Sequence, residues 1–491
     1  MVKKLSVIHI ASEVDPFSKT GGLGDVARSL PKAIKRNGHT VAVITPFYEQ
    51  IVDPKKHKLK KIKKSLKVEL SKGKHIVIDV WEGKLIENLP VYFIENTKYF
   101  GKRKSLYGSK WENARFMVFD LSCLTLIKEL NIKPDIIHCH DWQSGLVPYF
   151  LKGRFKNDKY WKNTATLFTI HNLLFQFGHA WWKIQSDQKD DGYSPLPTFG
   201  HKEKLEKINF AKRAIINTDL ISTVSEQYAK EIMTKDFGED LQRLLKNRER
   251  KLFGIVNGID YKDYNPLTDP GLHTNYDYHT LRRKLINKRY LQKLYGLPKK
   301  DNVPIIGMVT RITEQKGFDL LIPIFENILE RDVQFVIMGS GEKHYENFFR
   351  QMAKKYPKKV AAKLTFDAKH ATGVYAASDL FLMPSRFEPC GLGQLISLRY
   401  GSIPIVRAVG GLADTVSDFN PATGKGNGFV FKKYSPTSLL IAIIRALETY
   451  KYTDKWKKMM FDGMKQSYSW EIPAQKYIQL YKKAIHERAK K

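Results

Sequence analysis

Short apolar segments alternate with helical stretches along the whole chain, and this alternation constrains the fold more than any other feature. Several segments are rich in valine and isoleucine without an apolar–polar alternation, which is typical of parallel strands covered on both faces. In the first half of the chain the predicted strands are residues 5–10, 40–45, 75–80, 91–95, 135–138, 165–170, 220–224 and 253–256. In the second half they are residues 304–309, 333–338, 379–383 and 403–406. The pattern predicts an α/β protein with two doubly wound, Rossmann-like domains.

The first predicted strand leads into a glycine-containing turn, residues 19–26, with the sequence Lys-Thr-Gly-Gly-Leu-Gly-Asp-Val. Gly21 and Gly22 have no Cβ atom, so their backbone amides can come close to a ligand. A helix is predicted just after this turn, and its first N–H groups favour an anion. With Lys19 as a neighbouring positive charge, the turn predicts a site for a phosphate-bearing ligand.

Polar side chains follow other predicted strands of the first half, where doubly wound sheets bind their ligands. His138, His140 and Asp141 lie at the end of one strand, His171 follows the next, and Asn257 follows residues 253–256. Two histidines with an aspartate could bind a metal, but His138 and His140 are too close in sequence to form a complete site by themselves. We therefore expect no metal, and polar strand ends without a function remain the alternative.

The second half repeats this arrangement. Arg311 and Lys316 follow the strand at 304–309, and residues 385–393, Ser-Arg-Phe-Glu-Pro-Cys-Gly-Leu-Gly, follow the strand at 379–383. A helix is predicted from Gly391 to Tyr400, with Gly401 as its C′ residue. Its N-terminus would supply a second anion site, and two such domains facing each other would form a cleft.

Length and charge limit the class of protein. A chain of 491 residues is long enough for two domains with separate cores. The 83 Lys and Arg against 50 Asp and Glu give a net charge of +33, which raises the alternative of nucleic-acid binding. The lysines are spread along the chain without a recognised nucleic-acid module, so we expect solvated lysine-rich faces, no nucleic acid partner, and some attraction for a dianionic substrate.

Cysteine content and hydropathy indicate the compartment. Cys123, Cys139 and Cys390 are the only cysteines, too few for a disulfide framework. No apolar run approaches the roughly 20 residues of a membrane helix, and no signal-peptide core follows the first residues. We expect a soluble, cytoplasmic protein without a membrane partner.

Eight short motifs occur in a fixed order: residues 19–25, 140–142, 169–172, 223–225, 256–260, 311 with 315–317, 385–392 and 410–416. On these motifs the chain resembles bacterial glycogen synthases and plant starch synthases along essentially its full length. The resemblance implies a GT-B fold, two Rossmann-like domains facing a central cleft, with no cofactor. It also implies transfer of glucose from ADP-glucose to the nonreducing 4-hydroxyl of an α-1,4-glucan such as glycogen, with retention of configuration. A related retaining glucosyltransferase that uses UDP-glucose or another acceptor is the alternative.

The resemblance also implies catalytic residues: His171 beside the reacting sugar carbon, Arg311 and Lys316 on the diphosphate, Glu388 on the glucose, and Asp141 on sugar hydroxyls. We expect a front-face mechanism, in which a departing phosphate oxygen takes the proton of the acceptor hydroxyl, because no pair of closely spaced carboxylates is evident.

A second set of residues is expected to bind the donor. It includes Asn257, on sugar hydroxyls, and Phe366, at a position where the family often has an aromatic residue stacked on adenine. The complete set is Lys19, Gly21, Gly22, Asp25, Asn257, Phe366, Cys390, Gly391, Leu392 and Gly393.

Some positions depart from related retaining transferases. Ile396 stands where many carry a second glutamate, so ribose recognition must come from elsewhere. Gly393 stands where some have a hydroxyl residue, which leaves a backbone phosphate contact. Residues 209–214 lack an expected glycine, and this puts acceptor contacts there in question.

A segment rich in Pro, Gly, Asp and Asn, residues 265–278, indicates a domain boundary just before it. We expect an N-terminal domain at 1–262, carrying the glycine turn and the acceptor side, and a donor-binding domain at 263–471. The resemblance implies that a C-terminal helix, residues 472–491, packs back on the N-terminal domain.

Overall fold

The structure is a computed structural model that describes residues 3–178, 181–365 and 367–490. Contacts along the chain divide it into two compact units. The first unit contains the described residues of Met1–Val224, Ala229–Ile255 and Trp470–Lys491, and the second contains Ser225–Tyr228 and Val256–Ser469.

A nine-stranded sheet forms the centre of the first unit in the described part of the chain. Its strands are β1 Ser6–Ile10, β2 Thr40–Pro46, β3 Lys60–Ser71, β4 Lys74–Leu85, β5 Leu89–Glu95, β6 Ile136–His140, β7 Ala165–Ile170, β8 Leu220–Thr223 and β9 Leu252–Gly254. They lie in the order β3-β4-β5-β2-β1-β6-β7-β8-β9. All strands predicted in this half are confirmed, with ends that differ by a few residues.

One edge of this sheet is antiparallel. Strand β4 pairs antiparallel with both β3 and β5. A tight turn at Gly73, where φ is +75°, joins β3 to β4 and permits only antiparallel pairing. Strand β3 was not predicted because its lysines mask the apolar pattern, and such lysines are common on edge strands, where they oppose pairing with another chain.

The central strands of this sheet are almost completely buried, as expected when helices cover both faces. The α-helices in this part of the chain are α1 Gly22–Arg36, α2 Glu112–Glu129, α3 Leu146–Lys152, α4 Lys202–Leu205, α5 Phe210–Asn217, α6 Glu226–Glu231 and α7 Gln242–Asn247. Helix α1 begins inside the glycine turn, as the sequence predicts.

The second unit has a six-stranded parallel sheet. Its strands are β10 Ile305–Val309, β11 Gln334–Met338, β12 Val360–Lys363, β13 Leu380–Met383, β14 Ile403–Arg407 and β15 Phe429–Phe431, in the order β12-β11-β10-β13-β14-β15. Its helices are α8 Lys284–Leu294, α9 Phe318–Leu321, α10 Phe325–Leu329, α11 Lys343–Lys355, α12 Ala368–Ala377, α13 Gly393–Arg399, α14 Gly410–Thr415, α15 Pro436–Tyr450 and α16 Thr453–Lys465. Strands β12 and β15 are short and were not predicted.

The last helix, α17 Glu471–Ala489, belongs to the first unit and packs against α1 and β7. No helix in the described part of the chain is long and apolar enough to cross a membrane.

Each sheet has one point where the strand order reverses. In the first unit this point lies between β1 and β6, and in the second between β10 and β13. Loops leave in opposite directions there and open a crevice at the carboxyl ends of the strands, which is where ligands bind in doubly wound folds. The crevices are bounded by the residues after β1 and β6, and by those after β10 and β13.

Candidate active site

The glycine turn of the first unit is already occupied by a carboxylate. Glu13, two per cent exposed, follows β1, and its Oε2 accepts hydrogen bonds from the backbone N–H of Thr20 at 2.6 Å and from the Thr20 hydroxyl at 2.8 Å. The backbone amides of Gly21 and Gly24 also face this carboxylate and lower its pKa, but burial raises the pKa more. The amides of this turn thus face a carboxyl group of the chain itself, Glu13, and the phosphate site expected there stays a prediction.

Lys19 is held next to the same turn. Its Nζ lies 2.5 Å from Oδ1 of Asp25, and 39% of the Lys19 side chain is exposed. Burial raises the pKa of Asp25, while the Lys19 charge lowers it. Since neither group is fully buried, this pair adds little to stability, and Lys19 is accessible to a ligand.

Asp141, directly after β6, has a strained backbone. Its φ of 58° and ψ of 174° lie in a region that residues other than glycine rarely adopt, at a cost of about 1–3 kcal/mol. Its Oδ1 accepts hydrogen bonds from the backbone N–H of His171 at 2.8 Å and from Nε2 of Gln176 at 2.5 Å. Burial raises the pKa of Asp141 to about 7. At neutral pH this carboxyl can donate as well as accept a hydrogen bond.

Three imidazoles form a continuous line that we call the histidine chain: His171, His140 and His9. Nε2 of His171 lies 3.0 Å from Nδ1 of His140, and Nε2 of His140 lies 2.9 Å from Nδ1 of His9. Burial lowers the pKa of His9 and of His171 to about 3, and lowers that of His140 well below its usual value. The rings are therefore neutral at pH 7.

His138 lies beside the histidine chain but belongs to a different network. Its Nδ1 contacts the hydroxyl of Tyr481 at 2.9 Å, and its Nε2 contacts Oγ1 of Thr169 at 2.6 Å. Ligand atoms of His9, His138 and His140 lie within 4.8 Å of one another, a spacing that could suit a metal. Both nitrogens of His138 and both of His140 are nevertheless used in hydrogen bonds, so the arrangement fits a hydrogen-bonded network better.

In the second unit the candidate residues after β10 and β13 meet. Nζ of Lys316 lies 2.6 Å from Oε2 of Glu388, and the hydroxyl of Ser385 donates to the same oxygen at 3.0 Å. Glu388 is seven per cent exposed. Two donors on one oxygen fix the carboxylate and leave Oε1 for a ligand.

Glycines permit the close approach of these loops. Gly317 has a φ of +77°, and a Cβ atom there would lie 2.1 Å from the carbonyl oxygen of Pro384. Gly410 has a φ of +45°, and its Cβ would lie 2.0 Å from the carbonyl oxygen of Glu388. Larger residues would push the loops that carry Lys316 and Glu388 away from their positions.

Arg311 and Asn257 have groups available to a ligand. Arg311 is exposed, and no ion pair with it is found among the described residues. Asn257 is seven per cent exposed, and its Oδ1 has no hydrogen-bond partner in the part of the chain that the structure describes. A buried acceptor of this kind favours a ligand that can donate to it.

The loop after β13 leads into α13, which begins at Gly393, two residues later than predicted. Cys390 is buried, and burial raises the pKa of its thiol to about 12. Gly391 has a φ of +73°, and Leu392 is the N-cap residue of α13. The prediction for Phe366 lies outside the described residues.

Three residues of this site, Glu13, His9 and Gln176, were not predicted from the sequence. Glu13 lies just after the first predicted strand, so the rule applied to later strands would have found it. His9 lies inside an apolar strand, where one histidine is usually a core residue. Only the pairing of His9 with His138 across β1 and β6 brings it to this cluster.

The chain matches the family described as starch synthase catalytic domain over residues 6–247, and glycosyl transferases group 1 over residues 295–460. It is 42% identical over 496 residues to a glycogen synthase of Moorella thermoacetica, covering 99% of this chain and 98% of that protein. A glycogen synthase of Clostridium botulinum is 43% identical, with 97% of this chain and 99% of that protein covered. Among solved structures, the catalytic domain of starch synthase IV from Arabidopsis thaliana, bound to ADP and acarbose, is similar with a TM-score of 0.85 and 34% identity, covering 99% of this chain and 100% of that chain.

Proposed function

The chain belongs to the family of bacterial glycogen synthases and plant starch synthases, with the GT-B fold class, and on this premise we propose that it transfers glucose from ADP-glucose to the nonreducing 4-hydroxyl of an α-1,4-glucan with retention of configuration. The observation that carries the proposal is the Lys316–Glu388 pair at the β10/β13 crevice. ADP as the nucleotide is supported by the ligand of the Arabidopsis starch synthase structure.

Cleavage of a glycosyl phosphate bond leaves negative charge on the departing diphosphate and positive charge on the sugar. Arg311 and Lys316 follow β10 and supply two cations for the diphosphate. Because such cations stabilise the leaving group more in the transition state than in the ground state, they raise turnover rather than substrate affinity alone.

Glu388 is assigned to the glucose as an orienting group. Its Oε2 accepts hydrogen bonds from Lys316 and Ser385, so this oxygen is less available for nucleophilic attack. Retention then follows from a front-face reaction, in which a phosphate oxygen of the leaving group takes the proton of the acceptor hydroxyl.

The first unit is assigned to sugar binding. Asp141 offers a carboxyl that can donate or accept at neutral pH, since burial raises its pKa to about 7. His171 offers a neutral ring beside it, and Lys19 an accessible charge for the donor. Asn257 of the second unit offers a sugar hydroxyl its side-chain carbonyl oxygen, which has no hydrogen-bond partner among the described residues.

The nucleotide is tested by measuring release of ADP and of UDP from the two sugar nucleotides in the presence of glycogen. We expect ADP release that requires glycogen. Faster release of UDP would support the alternative, a related retaining glucosyltransferase specific for UDP-glucose.

The role of Arg311 is tested with Arg311→Ala, with Arg282→Ala as the matched control, because both side chains are exposed on the same unit but Arg282 is not at a sheet switch point. We expect turnover to fall about 100-fold or more in the first variant only. Equal turnover in the two variants would contradict the assignment of Arg311 to the diphosphate. A covalent glucosyl adduct trapped on Glu388 would contradict the front-face mechanism.

A further inference from the structure

The histidine chain connects the candidate catalytic His171 to the interior of the first unit. His140 lies at the end of β6 and His9 near the end of β1, and both are completely buried. These two residues have no direct role in the proposed reaction, so their hydrogen bonds to His171 need a separate explanation.

A proton count allows only two arrangements of the protons in the histidine chain. Three neutral imidazoles carry three N–H groups and three lone pairs, and the two hydrogen bonds use two of each. The remaining N–H and the remaining lone pair must then lie at opposite ends of the histidine chain. Either Nδ1 of His171 has the proton and Nε2 of His9 has the lone pair, or the reverse holds.

The environment of His9 decides between the two. Its Nε2 is buried and has no hydrogen-bond partner among the described residues. Orphaned N–H donors are rarer in buried protein than unsatisfied acceptors, and leaving one unpaired costs its full desolvation energy. The lone pair is therefore favoured at His9. At the other end, no protein partner of His171 Nδ1 is found in the described part of the chain, and the residue is partly accessible.

We propose that His140 and His9 are positioning residues that hold His171 in the tautomer protonated at Nδ1, so that His171 donates a hydrogen bond to a substrate oxygen. In this arrangement Nδ1–H of His9 donates to Nε2 of His140, and Nδ1–H of His140 donates to Nε2 of His171. The tautomer of His171 follows from the hydrogen bonds of the histidine chain, whereas the donation to a sugar or phosphate oxygen rests on the proposed function.

The tautomer is tested directly on the wild-type protein with 15N-labelled histidine. Long-range 1H–15N correlation spectra at neutral pH distinguish a protonated from an unprotonated ring nitrogen, and the signals missing in His171→Gln identify that residue. We expect a proton on Nδ1 of His171. A proton on Nε2, or a mixture of the two tautomers, would overturn the proposal.

Variants of His9 test the consequence for the reaction. His9→Leu removes the donor to His140, and we expect kcat to fall about 10-fold or more while KM for ADP-glucose stays within about twofold. His9→Asn keeps an N–H near the position of Nδ1, so it is expected to restore kcat. Failure of this rescue in a folded His9→Asn variant would contradict the role of His9.

His138→Gln is the matched control, because His138 is equally buried beside the histidine chain but bonds to Tyr481 and Thr169 instead. We expect its stability to fall without a change in kcat of the folded fraction. A loss of kcat equal to that of His9→Leu would show a general packing effect and overturn the proposal. If the wild type released no ADP from ADP-glucose, the proposed function would fail, while the tautomer measurement would still decide the proposal.

Discussion

Replacing Asp141 with asparagine tests whether this strained, half-buried carboxyl group lowers the stability of the folded protein. Burial raises the pKa of Asp141 from 3.8 to about 7 in the folded protein. Between these values the native state holds a proton that the unfolded chain has released. The free energy of unfolding contributed by this group therefore falls as pH rises from about 4 to about 7, and is constant above that.

The size of the effect follows from the pKa difference. Each unit corresponds to about 1.4 kcal/mol, so the full difference amounts to about 4 kcal/mol above pH ~7, and about 3 kcal/mol of it develops between pH ~5 and pH ~8. An asparagine cannot ionise, keeps an oxygen for the His171 N–H and the Gln176 amide, and has the same shape as the aspartate that it replaces.

Chemical unfolding of the wild type and of Asp141→Asn at about pH 5 and about pH 8 measures this difference. We expect the stability advantage of the variant to grow by about 3 kcal/mol between the two conditions, because other titrating groups contribute equally to both proteins and cancel. An advantage that does not change with pH would refute the reasoning, since it would mean that Asp141 titrates alike in the folded and unfolded chain. Turnover should fall in the same variant, and unchanged turnover would contradict the assignment of Asp141 to sugar binding without affecting the stability argument.

Two further substitutions test the two glycine-containing loops. Glu13→Gln replaces a carboxyl group near the start of α1 with a neutral amide and keeps the hydrogen-bond acceptor for Thr20. If this loop faces the diphosphate, the affinity for ADP measured by calorimetry should rise about 3-fold or more. Unchanged affinity would place the diphosphate elsewhere. Gly317→Ala puts a Cβ 2.1 Å from the Pro384 carbonyl oxygen and should lower both the unfolding free energy, by about 2–4 kcal/mol, and turnover. Gly296→Ala is the control, because Gly296 has a φ of +68° but no atom lies within 4 Å of the new Cβ. It should lower the unfolding free energy by only about 1 kcal/mol and leave turnover unchanged. Equal losses in the Gly317 and Gly296 variants would show that backbone strain rather than the clash is responsible.

Local sequence patterns predicted much of the fold correctly. The predicted strands and the start of α1 are present, because continuous apolar segments and glycine turns are determined by residues close together in the chain. The antiparallel edge was not predicted, since β3 is lysine-rich and its direction depends on the turn at Gly73.

The candidate site was predicted in part. Lys316 and Glu388 were both proposed from their positions after strands, and the structure brings them to 2.6 Å. Glu13 was missed although it lies just after the first predicted strand, and Gln176 was missed because an amide has no sequence signature until its hydrogen-bond partners are known. The assignments of Lys316, Glu388 and the other candidate site residues to the donor or the acceptor remain proposals.

By itself, the sequence determined the α/β class, the family through its eight motifs, and the strand ends where chemistry-bearing residues lie. Only the tertiary structure decided that Glu13 occupies the glycine turn, that Asp141 adopts a φ of 58°, and that His9 joins His140 and His171. The physical reason is that strand formation and turn geometry depend on neighbours in the chain. A hydrogen bond between His9 and His140 depends instead on the pairing of two strands that are about 130 residues apart, which no local pattern encodes.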